Sequence, residues 1–329
     1  MDSSTAWLAI VNPAAGMPRS RGSWDAIEQS LRDARVPLEV VHTECEHDGV
    51  EIARRAVGEG RRRLIAAGGD GSVNDIVNGV MDAGLADTRE VTLAVAPTGT
   101  GNDWARSLGI GREPKAVTAA IATGRTMLHD VGLITGPSIT GHAVAADGAE
   151  PPHRHWYINV AGAGYDAYVT ARVPRPVTSA FTYLGIALRG LVSYRSPQFR
   201  VDADGTRFEQ RMLLVFAANA RFCGNRMHVA PDALLDDGLL DVVAVEDLGL
   251  LRALPKIVKL YRGRLYGDSV VRHVRCPRVR IESDPPAEVQ ADGQMAGHTP
   301  AEFSLLRRAL TVIVPPEGPR PPRAVARNG

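Results

Sequence analysis

Short apolar runs that empty into glycine- or asparagine-rich turns recur through the first hundred residues. Residues 7–11, 38–43, 64–67 and 91–96 each read as a strand, and the apolar 64–67 suits one that is buried. Between them the period changes to that of a helix. Ile27, Leu31 and Ala34 share one face, residues 50–57 read as helix, and Val73, Ile76, Val77 and Val80 fall at i, i+3, i+4 and i+7. Ser23 and Ser72 are suitable N-caps, and Asp75 three residues after Ser72 completes a weaker form of the capping box. Asn102 or Asp103 can cap a helix over 104–108, and a further helix is expected over 115–123.

This alternation predicts an α/β fold with a parallel sheet. It ends after a strand over 126–135, so a domain boundary is expected near residue 130, giving an N-terminal α/β unit over 1–130. Residues 136–155 read as a solvated polar loop containing His142, His153 and His155, whose spacing selects no metal. Residues 131–314, which include this loop, predict a β-rich, sandwich-like second domain. Its strands are 156–160, a hairpin around Asp202 to Gly205 with a buried strand over 212–217, then 239–245, 269–281 and 310–314. Two helices interrupt it, over 178–194 and 250–261. The Pro- and Arg-rich residues 315–329 predict a disordered tail.

Composition narrows the class. A chain of 329 residues that is 44% hydrophobic, 23% charged and of net charge +1 is expected to be globular, and the near-neutral balance argues against a dedicated nucleic-acid binder. No uncharged apolar run approaches the ~20 residues of a membrane span, and residues 1–7 lack a secretion signal's basic and apolar regions. The three widely spaced cysteines, Cys45, Cys223 and Cys276, suit a reducing compartment. The expected location is therefore cytoplasmic.

Two stretches carry chemistry. Gly68, Gly69, Asp70, Gly71 and Ser72 follow a strand and open a helix, where turn and helix N–H groups and the helix dipole converge on one anion site. Pro97, Thr98, Gly99, Thr100, Gly101, Asn102 and Asp103 repeat the arrangement about thirty residues later, one βαβ unit on. Asp70 would repel a bare phosphate. It either holds a Mg²⁺ that travels with a nucleotide or satisfies turn N–H groups. Asn12, Pro13, Ala14, Ala15 and Gly16 form a turn after the first strand, a third candidate piece of the site. Gly162 to Ala167 fits G-x-G-x-x-G/A, but no acid ends a following strand. A lining for a substrate cleft suits it better than a dinucleotide site. An aspartate on a turn of the facing domain, as Asp292 before Gly293 would be, could serve a phosphoryl acceptor as general base, although Asp-Gly is also a common hairpin turn.

With these motifs in view, the chain resembles the diacylglycerol kinase-like lipid kinases, a family that includes the sphingosine kinases. The resemblance rests on the two glycine turns, on Asn219 to Asn225, Ala230 to Ala233 and Asp236 to Asp241, and on Ala291-Asp292-Gly293-Gln294. It implies that Asn12, Pro13, Ala14, Ala15, Gly16, Thr43, Gly68, Gly69, Asp70, Gly71, Ser72, Val73, Asn74, Asp75 and Thr100 contact ATP. It also implies that Asp237, with the carbonyls of Leu234 and Leu239, holds a structural Mg²⁺, and that Asp292 is the general base. The activity implied is transfer of the γ-phosphate of ATP to the hydroxyl of a lipid alcohol such as diacylglycerol, at a membrane surface. The alternatives are a kinase of the same fold acting on NAD or a soluble alcohol, and a catalytically weak nucleotide- or lipid-binding module.

Four positions depart from the family pattern: Ser72 for Thr, Asp75 for Glu, Cys223 for Gly, and Gln294 for Glu after the catalytic Asp-Gly. The last removes a charge beside the base. A helix carrying Phe181, Leu184, Ile186 and Leu188 beside Arg189 could line an acyl pocket, meet anionic headgroups or simply pack in the core.

Overall fold

The structure, a computed structural model, describes residues 6–15, 21–141, 154–173 and 180–319. Gly16, His142, His153 and the tail beyond residue 319 lie outside the described residues, as do the side chains of Phe181, Leu184 and Leu188.

Strands β1 (Trp7–Val11), β2 (Leu38–His42), β3 (Arg63–Gly68) and β4 (Thr92–Pro97) form a parallel sheet in the order β2-β1-β3-β4. Its core holds Ile10, Ile27, Leu31, Leu64, Ile65, Ile76 and Leu93, all but inaccessible to solvent; Ala34, expected on the face of Ile27 and Leu31, lies past the end of the helix and is exposed. The order places a topological switch between β1 and β3, since the chain leaves β1 one way for β2 and returns across it to β3. Ligands of such sheets sit beyond the carboxyl ends of the strands at that point.

The helix after β3, α3 (Asp70–Met81), starts three residues earlier than the Ser72 cap implied. Gly69 occupies the cap position, no side chain caps the end, and Ser72 lies inside the helix. Helix α1 (Arg21–Asp33) likewise begins ahead of Ser23. The apolar stripe of α3 packs on the sheet as expected, but the helix is buried on its other side too. There Asn74 and Asn78 meet β6 (Arg154–Tyr157) of the C-terminal half. So α3 lies between the two halves of the molecule.

His155 is a correction. It is not in a solvated loop but on β6, fully buried, with Nε2 3.2 Å from Asn74 Oδ1. Burial lowers its pKa to about 4, so the ring is neutral at physiological pH. The strand expected over 156–160 is also broken. It ends at Tyr157 and restarts as β7 (Val160–Gly164), leaving the N–H groups of Ile158 and Asn159 outside the ladder. Gly162 and Gly164 belong to β7 itself, and helix α6 (Tyr165–Thr170) follows. The strand expected over 269–281 is two, β13 (Val271–Cys276) and β14 (Arg278–Asp284).

The C-terminal half is β-rich, as expected. Its hairpin joins β8 (Gln198–Ala203) to β9 (Thr206–Ala218) through Asp204 and Gly205, both with positive φ, the requirement of a type I′ turn. Strand β9 turns a corner between layers. Residues 206–211 pair with β8, and residues 212–218 pair with β12 (Leu240–Glu246), those from 214 onward also with β7. The last strand, β17 (Ala301–Ile313), pairs with β14 at one end and runs parallel to β4 at the other, through Thr311↔Thr92 and Val312↔Leu93. It also pairs with β5 (Thr126–Thr135). The boundary expected near residue 130 therefore falls inside a strand, and the end of the chain completes the N-terminal sheet.

Candidate functional site

The two glycine turns touch. Thr98 and Gly99 N–H both donate to Gly68 O, at 3.0 and 3.1 Å. A Cβ on Gly99 would lie 2.3 Å from Gly69 Cα, so only glycine permits this approach. The turn after β1 joins them. Asn12 N donates to Ala67 O, Asn12 Nδ2 to Ser72 Oγ at 3.2 Å, and Asn12 Oδ1 accepts Ala14 N–H. Thr43, just past β2, donates its N–H to Val11 O. Asn12, Pro13, Ala14, Ala15, Thr43, Gly68 to Asp75 and Thr100 thus come from the carboxyl ends of four adjacent strands, with Thr100 exposed at the rim.

Asp70 has a partner the sequence did not suggest. Its Oδ1 accepts Trp104 N–H at 3.0 Å, so the carboxylate of one turn caps helix α4 (Asp103–Leu108) of the other. Asn102 stands at the cap position in a left-handed conformation, but neither it nor Asp103 caps the helix through its side chain. Asp103 instead accepts the N–H groups of Asn225 and Arg226 at 2.8 Å, tying α4 to the second half. Burial raises the pKa of both acids. For Asp103 the charge of Asp70 adds to it, taking its carboxyl to about 6. Asp70 is half-buried and Asp103 buried; Asp103 has both oxygens engaged by Asn225 and Arg226 N–H, which leaves Asp70 the acid placed to meet a hard cation arriving with a nucleotide.

Asp292 reaches the same place from the opposite side. It sits with Gly293 in a type I′ turn between β15 (Glu288–Ala291) and β16 (Gln294–His298), both residues having positive φ. Its Oδ1 accepts Asn159 N–H at 2.9 Å and Val160 N–H at 3.0 Å. Its Oδ2 accepts Ile158 N–H at 2.9 Å and Asn74 Nδ2–H at 3.0 Å. The break between β6 and β7 supplies three of these donors and α3 the fourth. Burial raises the carboxyl to about 6, and the four hydrogen bonds hold it from rising further.

Around this turn the second half grips α3. Gln294 Nε2 donates to Gly71 O and to Asp75 Oδ1, both at 3.0 Å, and His47 Nδ1 lies 3.0 Å from the same Asp75 oxygen. An amide suits this position because it faces two oxygens. Gln294→Glu would set a carboxylate against Asp75 and the Gly71 carbonyl, lowering stability by about 1–3 kcal/mol at pH 8. The new carboxyl would hold its proton above the usual range. The penalty would therefore grow as pH rises from the ordinary glutamate value toward that raised value, be complete above it, and shrink toward pH 5, which melting curves at pH 5 and pH 8 would read.

Sequence reasoning missed Asn78, Asn159, Gln290 and Asp166. Asn78 donates to Trp156 O alongside Asn74. Gln290 accepts Gly293 N–H and donates to Asp166, whose carboxyl burial raises to about 6. The available signal was Asn74 and Asn78 at i, i+4 on a helix otherwise buried by apolar residues. Cys223 marks where the acids converge. Burial, then the charges of Asp103, Asp166, Asp70 and Asp292, push its thiol pKa well up.

The loop of Leu234, Asp237 and Leu239 stands apart from these turns. Asp237 Oδ1 accepts Leu239 N–H at 3.0 Å, and Oδ2 is ion-paired to Arg275. Leu234 is exposed. With both carboxylate oxygens engaged, these residues as they stand do not fit a divalent cation.

Residues 6–134 match the family model described as diacylglycerol kinase catalytic domain, and residues 159–314 match the YegS C-terminal NAD kinase beta sandwich-like domain. A diacylglycerol kinase of Bacillus subtilis is 28% identical over 94% of this chain and 96% of its own. A probable lipid kinase, YegS-like, of Chromohalobacter salexigens is 29% identical over 94% and 93%. A crystal structure described as a putative diacylglycerol kinase from Bacillus anthracis superposes with a TM-score of 0.73 at 25% identity, covering 95% of this chain and 98% of that one. Both halves of the chain match those of the diacylglycerol kinase-like kinases, the family to which this protein belongs.

Proposed function

We propose that this kinase transfers the γ-phosphate of ATP to the hydroxyl of a lipid alcohol such as diacylglycerol, with Asp292 as general base. The observation that carries the reading is the hydrogen bond between Asp292 and Asn74. It ties a carboxylate of the second half to the helix whose N-terminus forms the anion site. The turns after β1, β3 and β4 would hold the triphosphate through backbone N–H groups and the α3 dipole. Asp70 would meet the Mg²⁺ that accompanies it. That ion would neutralise charge on the phosphate oxygens, the ordinary need of phosphoryl transfer.

The base works by exchanging one partner. Asn74 Nδ2 is shared between Asp292 Oδ2 and Trp156 O. It can remain on the carbonyl while the substrate hydroxyl takes its place on the carboxylate, and the proton then passes to Oδ2 as the hydroxyl oxygen bonds to the γ-phosphorus and the bond from that phosphorus to the bridging oxygen breaks, releasing ADP. Asn74→Ala removes a hydrogen bond that stabilises the charged carboxylate. It should therefore move the acid limb of the pH–rate profile above its wild-type position, read as kcat/KM against pH.

The purified protein, given γ-labelled ATP and a panel of lipid alcohols, should yield an organic-extractable phosphorylated product. Label that stays in the aqueous phase with every lipid, and enters NAD or a soluble alcohol, would overturn the lipid assignment.

A further inference from the structure

The loop over 234–239 is crowded with acids, and what neutralises them is arginine. Asp237 is ion-paired to Arg275, whose Nε also lies 3.5 Å from Oδ2 of the fully buried Asp241, while Asp241 Oδ1 is paired with His273 Nε2 at 2.6 Å and accepts the Tyr266 hydroxyl at 3.3 Å. Strand register fixes this arrangement, because Asp241 on β12 and Arg275 on β13 are cross-strand partners and present their side chains together. Asp236, next in the loop, is 3.7 Å from Arg308 Nη2, and its carbonyl accepts Arg308 Nε–H. Arg308 comes from the irregular stretch where the β17–β5 register shifts, and its N–H donates to Asp130 Oδ1 at 2.6 Å. Asp130 Oδ2 accepts Gly238 N–H at 2.6 Å, so this acid spans the loop and the bulge. The Arg307 side chain lies across Gly238, where a Cβ would meet its Nε at 2.3 Å.

The resemblance places a structural Mg²⁺ at this loop, on Asp237. We infer that in this chain the Arg275 guanidinium, held by Asp237 and Asp241 and backed by Arg308, fills that role, so that the loop keeps its shape without a divalent ion. A planar guanidinium can bridge two carboxylates as a small cation would, and it carries its charge at every accessible pH. It also supplies the charge covalently, so the loop would be indifferent to the metal content of its surroundings.

The test uses metal content and melting temperature, neither of which involves lipid, nucleotide or kinase activity, so its outcome is independent of the substrate assignment. The wild-type protein, desalted without chelator, should retain no stoichiometric divalent ion and should melt at the same temperature in EDTA and in Mg²⁺. Removing the guanidinium should open the site. Arg275→Ala should melt below the wild type and recover about 3 °C or more in Mn²⁺ beyond any rise the wild type shows, with Mn²⁺ bound in excess of the wild type. If the alanine variant does not fold, Arg275→Gln keeps most of the stem and offers the same readout. An ion retained by the wild type and lost on Asp237→Asn overturns the inference. So does an arginine-free variant as indifferent to Mn²⁺ as the wild type.

Discussion

Asp292→Asn should lower kcat for phosphoryl transfer by roughly 10²–10⁴-fold, the usual contribution of a positioned general base, with nucleotide binding little changed. ATP would be held by turns of the N-terminal half, to which Asp292 contributes no backbone, so the loss belongs in kcat and not in the affinity for nucleotide. The substitution is also structural. An amide nitrogen placed where Oδ1 or Oδ2 now accepts would face N–H donors from Ile158 and Asn74 or from Asn159 and Val160. A melting curve should accompany the rate, with about 1–3 kcal/mol of stability lost. The wild-type pH profile gives a second reading. With the carboxyl raised to about 6, the protonated form predominates below that pH and cannot accept a proton. The value of kcat/KM should thus rise about tenfold per pH unit below 6 and level off above it, and the asparagine variant should lack this limb. A variant with near-wild-type kcat, or a wild-type profile flat from pH 5 to 8, would remove Asp292 from the role of base.

The parts of this site legible in the sequence are those encoded locally. A strand, a glycine turn and a helix start are contiguous features, so both glycine turns and the Asp292 turn could be read directly. What could not be read depends on partners far along the chain. Asp70 looked like a cation ligand or a local turn acid, yet it caps a helix 34 residues on, because two turns from neighbouring strands pack edge to edge. Asn74 reads as part of a phosphate turn. Its contact with Asp292, 218 residues away, exists only because α3 is buried between the halves. His155 was misjudged from its polar neighbours, although Trp156 and Tyr157 already begin the strand that buries it. The pairing of Arg275 with Asp237 follows from the register of β12 against β13, which neither segment specifies alone. Strand β17 carries the same lesson at the scale of the fold. Nothing in its sequence tells that an antiparallel strand of the second half will end parallel to β4.

Gly99→Ala should be the most damaging single-methyl substitution in the phosphate site. The added Cβ would stand 2.3 Å from Gly69 Cα, 2.8 Å from Gly69 N and 2.9 Å from Asn102 Oδ1. Two of these are backbone atoms, which no rotamer change can move. Relief therefore requires the two turns to separate. Separation breaks the Thr98 and Gly99 N–H bonds to Gly68 O and withdraws Asp70 from Trp104 N–H, so the positions that would cradle the triphosphate come apart together. Overpacking of a tight site costs about 1–3 kcal/mol, and the rigid backbone contact puts this change at the upper end, about 3 kcal/mol. Nucleotide affinity should fall at least tenfold, since the N–H groups that would bind phosphate are carried on the displaced segments. Gly58→Ala is the matched control. At the end of helix α2 (Asp48–Gly58) its Cβ would meet nothing within 4 Å, and alanine there should be neutral or stabilising. Thermal melting and titration with a fluorescent ATP analogue distinguish the two variants. If Gly99→Ala melts and binds nucleotide as Gly58→Ala does, the two turns do not form one rigid cradle, and the phosphate site must be built from other contacts.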